Sequence, residues 1–325
     1  MLSALKPHAA ALAIVLALAA CGAVYKLATL GTIISSDYEQ YVATSLVLTG
    51  QEAEISPQRL LKPLGPLLIA GLSAFMSAET ATMLQALVFY FAFVVMMYVF
   101  AHEFFRDRFG AALITLLAAL SYPVLKYGVE LNTETGALFL YIVSLYITLR
   151  FVRAPSARLV LLNAAVITLA FLWKEYIVVA GLAFGAALLF HSSLSHRTKA
   201  LYVGTCALLF LAVHIPWQVY VYLTYDYSYL SWYTHNITSA VEQHEFTLFN
   251  ITKSTAALIG IAWLAVPFGL RRLGELPLSD RRFLQIATPP TFLAYFWGYV
   301  SSRLLYVMAA PFLLLAYLGM RSWPK

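Results

Sequence analysis

The sequence predicts an all-α polytopic membrane protein. Three observations indicate this class: 62% of the 325 residues are hydrophobic, only 11% are charged, and the mean hydropathy is +0.78. In soluble domains about a quarter of the residues are charged, so a water-soluble globule is excluded. Helices are expected, because a segment inside a bilayer has to satisfy its own backbone polar groups. We therefore expect a single transmembrane domain over residues 1–325.

The apolar runs predict about ten transmembrane helices. In chain order the expected spans are Ala9–Leu30, Thr80–Glu103, Gly110–Val124, Glu134–Arg150, Arg158–Trp173, Tyr176–His191, Ala200–Tyr222, Ile251–Leu270, Phe283–Val300 and Leu304–Met320. Several are shorter than a full crossing needs, which is typical of helices that end in a hydrated, protein-lined cavity. Cys21 in the first span also fits a lipidation signal. A signal anchor is the plainer interpretation, because the apolar run continues past this cysteine.

Two outer loops stand out between these spans. The first, residues 31–79, begins with a polar stretch and continues into Pro63–Met76, which is apolar but too short to cross a bilayer. We expect that segment to be an interfacial or re-entrant helix. The second loop, residues 223–250, is rich in aromatic residues. Such a segment is typical of an interfacial belt, and it could also cover a bound sugar as a lid.

The charge distribution orients the chain. With a cytoplasmic N-terminus, the inner side holds two thirds of the 21 basic residues, namely Lys6, Arg106, Arg108, Arg150, Arg153, Arg158, Arg197, Lys199, Arg271, Arg272, Arg281, Arg282, Arg321 and Lys325. The inner acids are only Glu103, Asp107, Glu275 and Asp280. Counting Pro63–Met76 as a span would destroy this asymmetry, which membrane proteins generally show. We therefore expect a multi-pass plasma (inner) membrane protein with both termini cytoplasmic.

The predicted outer side contains the residues that are suited to catalysis or substrate binding. Asp37 and Glu39 follow the first span directly, where an ionised group beside hydrocarbon loses solvation. The inner loops are short basic turns, and the sequence has no Walker-type glycine loop for a cytosolic nucleotide. An activated substrate is therefore expected to arrive through the lipid. In a soluble protein the net charge of +6 would suggest nucleic acid, but here the distribution of charge along the chain matters more than its sum. No nucleic-acid partner is expected.

Five short pieces stand in a characteristic order along the chain. They are Ser36–Tyr41, Arg59–Leu68, Asn132–Glu134, Trp173–Glu175 and Arg303–Pro311. Their order and placement resemble the GT-C class of polyprenyl-phosphate-sugar-dependent membrane glycosyltransferases, which includes protein O-mannosyltransferases and lipid A aminoarabinose transferases. Many members of that class carry two adjacent acids in the first outer loop, whereas here a tyrosine separates them.

The resemblance implies transfer of a sugar, with inversion, from a polyprenyl-phosphate donor to a lipid, glycan or protein acceptor at the outer, periplasmic face. Asp37 is the expected general base for the acceptor hydroxyl, with Glu39 as its helper. The expected substrate-binding residues are Arg59, Lys62, Lys126, Glu134, Lys174, Glu175 and Arg303. Arginine suits phosphate because it can donate two parallel hydrogen bonds. No cofactor and no metal site are expected, and a divalent-metal requirement stays open.

Plainer interpretations exist for these residues. The two acids of the first outer loop can be solvated or can cap a helix, and Arg59 and Lys62 can anchor the interfacial helix to anionic headgroups. Lys174 and Glu175 can pair with each other at a turn, and Glu134 can be an acid favoured by a helix N-terminus. The alternative function is a non-enzymatic transporter or a flippase of lipid-linked glycans, although no internal repeat is evident. A polymerase or ligase of lipid-linked glycans would share the donor.

Overall fold

The computed structural model describes residues 9–31, 36–129, 134–243, 246–296 and 303–321, and within these ranges it contains helices and no strand. The α-helices are α1 (Ala9–Leu30), α2 (Ser36–Leu48), α3 (Leu64–Ser73), α4 (Ala78–Phe105), α5 (Arg108–Ala119), α6 (Tyr122–Gly128), α7 (Glu134–Arg153), α8 (Ala157–Trp173), α9 (Val178–Phe190), α10 (His196–Tyr225), α11 (Tyr229–Glu242), α12 (Leu248–Ile259), α13 (Val266–Arg271), α14 (Leu278–Ala287) and α15 (Tyr306–Met320). Short 3₁₀ segments lie at Pro57–Arg59, Glu175–Ile177, Gly260–Ala265, Leu273–Glu275 and Pro289–Phe296. The predicted all-α class is confirmed.

Length and composition qualify some of these helices as membrane spans. In the described part of the chain, α1, α4, α7, α10 and the continuous segment Leu248–Arg271 are long and apolar enough to cross a bilayer. A sixth crossing results if α5 and α6, which are bent by 60°, are counted as one span. The remaining apolar helices, α3, α8, α15 and the segment Glu175–Phe190, are shorter. The expected number of about ten spans therefore stays a prediction.

Two predicted spans are broken in the structure. Gly110–Val124 is divided between α5 and α6, because Pro123 in the first turn of α6 has no backbone N–H to continue the preceding helix. Phe283–Val300 is wrong as a single helix, since α14 ends before the 3₁₀ segment Pro289–Phe296. Two successive prolines remove two donors and end the α-helix at this point. Residues 297–300 of that predicted span lie outside the described ranges.

The two predicted outer loops contain helices. Residues 31–79 include α2 and α3, and α3 lies within the segment expected to be an interfacial helix. The aromatic segment 223–250 is helical over α11, a difference from the expected loop. The Ser228 side chain accepts the backbone N–H of Ser231 and so caps the N-terminus of α11. Within this segment, residues 244 and 245 are not among those described.

The core of the bundle forms around α4 and α7, which pack against each other, while α7 also packs on α8 and α15. Buried tyrosines are satisfied by backbone carbonyls in this core. The Tyr90 hydroxyl donates to the Ala119 carbonyl at 3.2 Å, and the Tyr141 hydroxyl donates to the Val307 carbonyl at 2.7 Å. An unpaired hydroxyl at these depths would destabilise the fold. The hydrogen bonds therefore fix α4, α7 and α15 relative to their neighbours.

Polar groups lie in two separate clusters. In one cluster, Arg153 donates to Asp280 at 2.8 Å and to Glu103 at 2.9 Å, and all three residues belong to the predicted inner side. The other cluster contains Asp37 and Arg303, both from the predicted outer side. The grouping of the residues agrees with the sides that the charge distribution predicts. Which side faces the cytoplasm stays a prediction.

Candidate active site

A polar cavity of about 220 Å³ lies beside the first turn of α2. Its described lining residues are Asp37, Gln58, Arg59, Lys62, Glu134, Lys174, Glu175, Tyr176, Trp232, Asn236, Arg303 and Leu304. Four of these side chains are cationic and three are carboxylates, so the described lining carries one more positive than negative charge. Ionisable groups are costly inside an apolar bundle, and such a concentration of them indicates a functional site.

Most of the predicted site residues lie on this cavity. They are Asp37, Arg59, Lys62, Glu134, Lys174, Glu175 and Arg303. Glu39 is absent from the lining and its side chain is exposed, because residues two apart on a helix diverge by about 200°. Lys126 also lies outside the lining, with its ammonium 5.2 Å from the centre of the Tyr127 ring. That ring lies 5.8 Å from the guanidinium carbon of Arg303, so Lys126 and Arg303 lie near the same aromatic side chain.

Asp37 binds two arginines. Its Oδ1 accepts a hydrogen bond from Arg59, and its Oδ2 accepts one from Arg303 Nη1 at 2.8 Å. Burial alone would raise the pKa of Asp37, but the two guanidinium groups outweigh it and hold the pKa well below the ordinary value of 3.8. Asp37 is therefore ionised at neutral pH, with both oxygens engaged by cations.

Glu134 is a second carboxylate of the cavity, and its side chain is buried. It lies in the first turn of α7 and is only 1% exposed. Its Oε1 accepts a hydrogen bond from Lys174 Nζ at 3.0 Å, and its Oε2 accepts one from the Tyr176 hydroxyl at 3.0 Å. Arg303 Nε lies 3.6 Å from the same Oε1. Arg303 therefore contacts the carboxylates of both Glu134 and Asp37.

The Tyr41 hydroxyl links the Asp37–Arg59 ion pair to the Glu134–Lys174 ion pair. Tyr41 lies one turn after Asp37 on α2, and its buried hydroxyl accepts hydrogen bonds from Arg59 Nη1 at 3.2 Å and from Lys174 Nζ. Burial raises the pKa of Tyr41, but these two cations outweigh it and lower the pKa below its ordinary value of 10.0. The six side chains form a closed ring in the order Asp37, Arg59, Tyr41, Lys174, Glu134 and Arg303. Each member is held by two others, which fixes the ring geometry.

A further ion pair lies beside this ring. Lys62 Nζ is 2.6 Å from Glu175 Oε2 and 4.5 Å from the centre of the Trp232 ring. Burial lowers the pKa of the Lys62 ammonium, and the neighbouring Glu175 carboxylate opposes that change. Asn236, one helical turn after Trp232 on α11, lines the same cavity. The aromatic segment therefore contributes a ring and an amide to the site.

Two aromatic side chains hold the backbone that leads to Lys62. Trp217 Nε1 on α10 donates to the Leu60 carbonyl at 2.7 Å. The Tyr229 hydroxyl on α11 donates to the Leu61 carbonyl at 2.9 Å. Because both bonds go to the main chain, they fix the position of the segment itself. Lys62 is thus presented from an anchored backbone.

The backbone at Lys174 determines which acids pair with which cations. Lys174 is extended, with φ −154° and ψ 129°, so neighbouring side chains point to opposite sides. Pairing of Lys174 with Glu175 is therefore wrong: Lys174 binds Glu134, while Glu175 binds Lys62. A glycine in α7 assists, because a Cβ at Gly136 would collide with the ring of Trp173. This close approach brings the first turn of α7 to the end of α8.

Several lining residues were not predicted from the sequence. They are Gln58, Tyr176, Trp232 and Asn236, together with Tyr41 behind the lining. A signal for Tyr41 was present, since it follows Asp37 by four positions and so lies on the same face of a helix. Trp232 and Asn236 belong to the aromatic segment, whose composition alone does not indicate which side chain faces a cavity.

Known proteins resemble this chain in part of its sequence and in its fold. Residues 61–217 match the model of the dolichyl-phosphate-mannose-protein mannosyltransferase family. The structure is similar to two crystal structures of ArnT from Cupriavidus metallidurans at 14% sequence identity over 96% of this chain, with TM-scores of 0.71 for the form bound to undecaprenyl phosphate and 0.66 for the apo form. The chain spans 60% of the length of those structures, and no curated protein matches it. The family match and the ArnT-like fold together confirm the resemblance to the GT-C class of membrane glycosyltransferases.

Proposed function

We propose that this protein is a membrane glycosyltransferase that takes a sugar from a polyprenyl-phosphate donor and transfers it to a hydroxyl of a lipid, glycan or protein acceptor. The observation that carries the proposal is the position of Asp37, which lies between Arg59 and Arg303 on a polar cavity of an apolar bundle. The carboxylate can act as a base, and the two guanidinium groups that contact it can bind a phosphate. The expected setting is the outer face of the plasma membrane.

The cation excess of the cavity supports a phosphate-bearing donor. Four cations face three carboxylates among the described lining residues, so an anion would improve the charge balance. Arg303 and Arg59 are best suited to the phosphate, because a guanidinium group can donate two hydrogen bonds to it. The similarity to an ArnT structure that holds undecaprenyl phosphate favours a polyprenyl carrier of this kind.

The proposed reaction is a single displacement. The acceptor oxygen attacks the anomeric carbon while the bond from that carbon to the phosphate oxygen breaks, which inverts the configuration. Asp37 takes the proton of the acceptor hydroxyl, and polyprenyl phosphate leaves with the negative charge of the broken bond. The arginines stabilise that charge as it develops.

Asp37 needs a change of partners before it can act as the base. Two guanidinium groups hold its pKa low, so its affinity for a proton is small. A donor phosphate competes for the same guanidinium groups, and each hydrogen bond that moves to the phosphate makes Asp37 more basic. Donor binding is therefore proposed to precede activation of the acceptor.

The proposal is tested by incubating the purified protein in nanodiscs with radiolabelled polyprenyl-phosphate sugars and candidate acceptors, beside the variant Asp37→Asn. Asparagine keeps the size of the side chain but cannot accept the proton. We expect transfer to fall at least about 100-fold, the usual contribution of a general base. Undiminished transfer by the variant would remove Asp37 as the base.

The same purified protein addresses two remaining alternatives, the first of them after reconstitution into sealed vesicles. Movement of the labelled lipid across a vesicle without any transfer would support the flippase function instead. Loss of transfer after chelation, with recovery on adding a divalent ion, would establish a metal requirement. Within the described residues no three His, Cys, Asp or Glu side chains are grouped to hold a metal ion, and the absence of a metal stays a prediction.

A further inference from the structure

Two cavities adjoin each other between the C-terminal end of α9 and α14, apart from the polar cavity. Their volumes are about 180 Å³ and about 450 Å³. Phe190, Arg282 and Ile286 line both of them, and Pro289 and Pro290 line the larger one. Together the two cavities form a groove, termed the inner groove, that combines a guanidinium group with apolar walls.

The inner groove lies at the level of the predicted inner membrane surface. The apolar runs 176–191 and 283–300 both have their predicted inner ends here. Ile286 and the two prolines come later in the second run, so the apolar part of the groove is directed toward the predicted bilayer interior. Headgroups lie at a membrane surface and acyl chains lie beneath them. The order of polar and apolar walls therefore matches that of a phospholipid.

Arg282 is the cation of the groove, and among the described residues it forms no ion pair. Its Nη1 donates to the Ser192 hydroxyl at 3.3 Å. The nearest acid along the chain, Asp280, is 4% exposed and is bound by Arg153 Nε at 2.8 Å and Nη2 at 3.0 Å. Residues two apart on a helix diverge by about 200°, and Asp280 is accordingly absent from the described lining of the groove. An anion in the groove therefore meets Arg282 without a competing carboxylate from this lining.

A second cation lies at the same end of α9. Lys199 Nζ donates to the Leu189 carbonyl at 2.7 Å, and Ser192, which accepts the hydrogen bond from Arg282, follows three positions later. The connecting residues 191–199 include no acid. The entrance of the groove is therefore positively charged. Such basic pockets between helices on the inner side of a membrane suit the phosphate of an anionic lipid.

We propose that the inner groove binds an anionic phospholipid of the inner leaflet: its phosphate contacts Arg282, and one acyl chain lies along Phe190, Ile286 and the two prolines. A soluble phosphate would contact the cation but would leave the apolar walls of the larger cavity uncovered, so a lipid is favoured. The described linings of this groove and of the polar cavity have no residue in common. The inference is therefore independent of the proposed function.

The test uses the protein in phosphatidylcholine nanodiscs that contain a small fraction of photoreactive lipid. The reactive lipid is either phosphatidylglycerol or phosphatidylcholine, with a diazirine in the same acyl chain, and the cross-linked peptides are located by mass spectrometry. We expect phosphatidylglycerol to label the segments 186–190 and 285–290 at least about fivefold more than phosphatidylcholine does. Equal labelling by the two lipids would overturn the inference. An excess of glycerol 3-phosphate at constant ionic strength should leave the labelling unchanged, whereas displacement would identify a site for soluble phosphates instead.

Three variants make the result specific. Arg282→Gln removes the cation and should lower labelling by phosphatidylglycerol to the level of phosphatidylcholine. Arg158→Gln is the matched control and should label like the wild type, because Arg158 is an exposed arginine of the same predicted side that lines neither cavity. Ala186→Trp fills part of the larger cavity and keeps Arg282, so cross-links from the acyl chain should decrease.

Each variant can contradict one part of the inference. Full labelling of Arg282→Gln would refute the role of the arginine, and full labelling of Ala186→Trp would refute the position of the acyl chain. A loss in Arg158→Gln equal to that in Arg282→Gln would show that the charge of the whole inner side, and not the groove, attracts the lipid. If Arg282→Gln does not fold, the comparison of the two lipids on the wild-type protein and on Ala186→Trp decides.

Discussion

Glu134 offers a quantitative test of the ring of charged side chains. In Glu134→Gln the shape is kept, but the charge that faces Lys174 and Arg303 is lost. The amide has a single acceptor oxygen, so its NH₂ group faces either the Lys174 ammonium or the Tyr176 hydroxyl, both of which donate to the carboxylate in the native protein. Lys174 is then a buried cation without its principal carboxylate.

The magnitude follows from burial. The side chains of Glu134 and Lys174 are 1% and 6% exposed, so water screens the pair little. Removing one partner of a buried pair costs about 3–5 kcal/mol, and we expect Glu134→Gln to lose about 3 kcal/mol of unfolding free energy. Part of that loss should be recovered in the double variant Glu134→Gln/Lys174→Met, which removes both charges.

The assay is reversible unfolding in mixed micelles of a mild detergent and sodium dodecyl sulfate, followed by tryptophan fluorescence. Glu52→Gln is the control, because Glu52 is exposed and its substitution should change the free energy by less than about 0.5 kcal/mol. A Glu134→Gln protein within about 1 kcal/mol of the wild type would refute the reasoning. So would a double variant whose loss equals the sum of the two single losses, since that would mean no coupling.

Three further outcomes are expected. In Arg59→Met the pKa of Asp37 should rise, because one of its two arginine partners is removed. The acidic limb of the plot of kcat/KM against pH should therefore move to higher pH than in the wild type. A limb that does not move would exclude Asp37 as the titrating group. Lys126→Met should lower transfer far less than removal of any cation of the cavity does, measured with the labelled donor, and an equal loss would contradict the placement of Lys126 outside it. Tyr229→Phe removes the hydrogen bond to the Leu61 carbonyl and should lower the unfolding free energy by about 1 kcal/mol in the same micelle titration, whereas no change would show that the bond contributes little.

The sequence predicts the helical class and many helix positions because hydrophobic runs of bilayer length leave the backbone few alternatives. The errors occur where local backbone chemistry overrides hydropathy. Residues 283–300 form one apolar run, yet Pro289 and Pro290 end the α-helix within it. Hydropathy also hides the helix over the aromatic segment, because α11 mixes polar and aromatic residues in a way that resembles an interfacial loop.

For the site, the sequence indicates which residues are unusual but not how they pair. Asp37 and Arg303 are separated by 266 positions, and only the packing of the helices brings them to 2.8 Å. Lys174 and Glu175 illustrate the opposite difficulty, since neighbours in the chain point away from each other when the backbone is extended. Charge and proximity in the sequence are therefore insufficient to predict which side chains form ion pairs. The pairing also depends on the direction of the backbone.

The ring of side chains has a consequence for how the protein is made. Its members come from widely separated parts of the chain, and Arg303 is translated last. During synthesis Asp37 is followed after 22 positions by Arg59, whereas both cations of Glu134, Lys174 and Arg303, are translated after it. The early helices therefore carry one uncompensated acid, Glu134, that a membrane chaperone or protease could recognise. Translation of Arg303 completes the charge pairing, so ribosomes stalled before and after this codon should yield membrane intermediates of different lifetime.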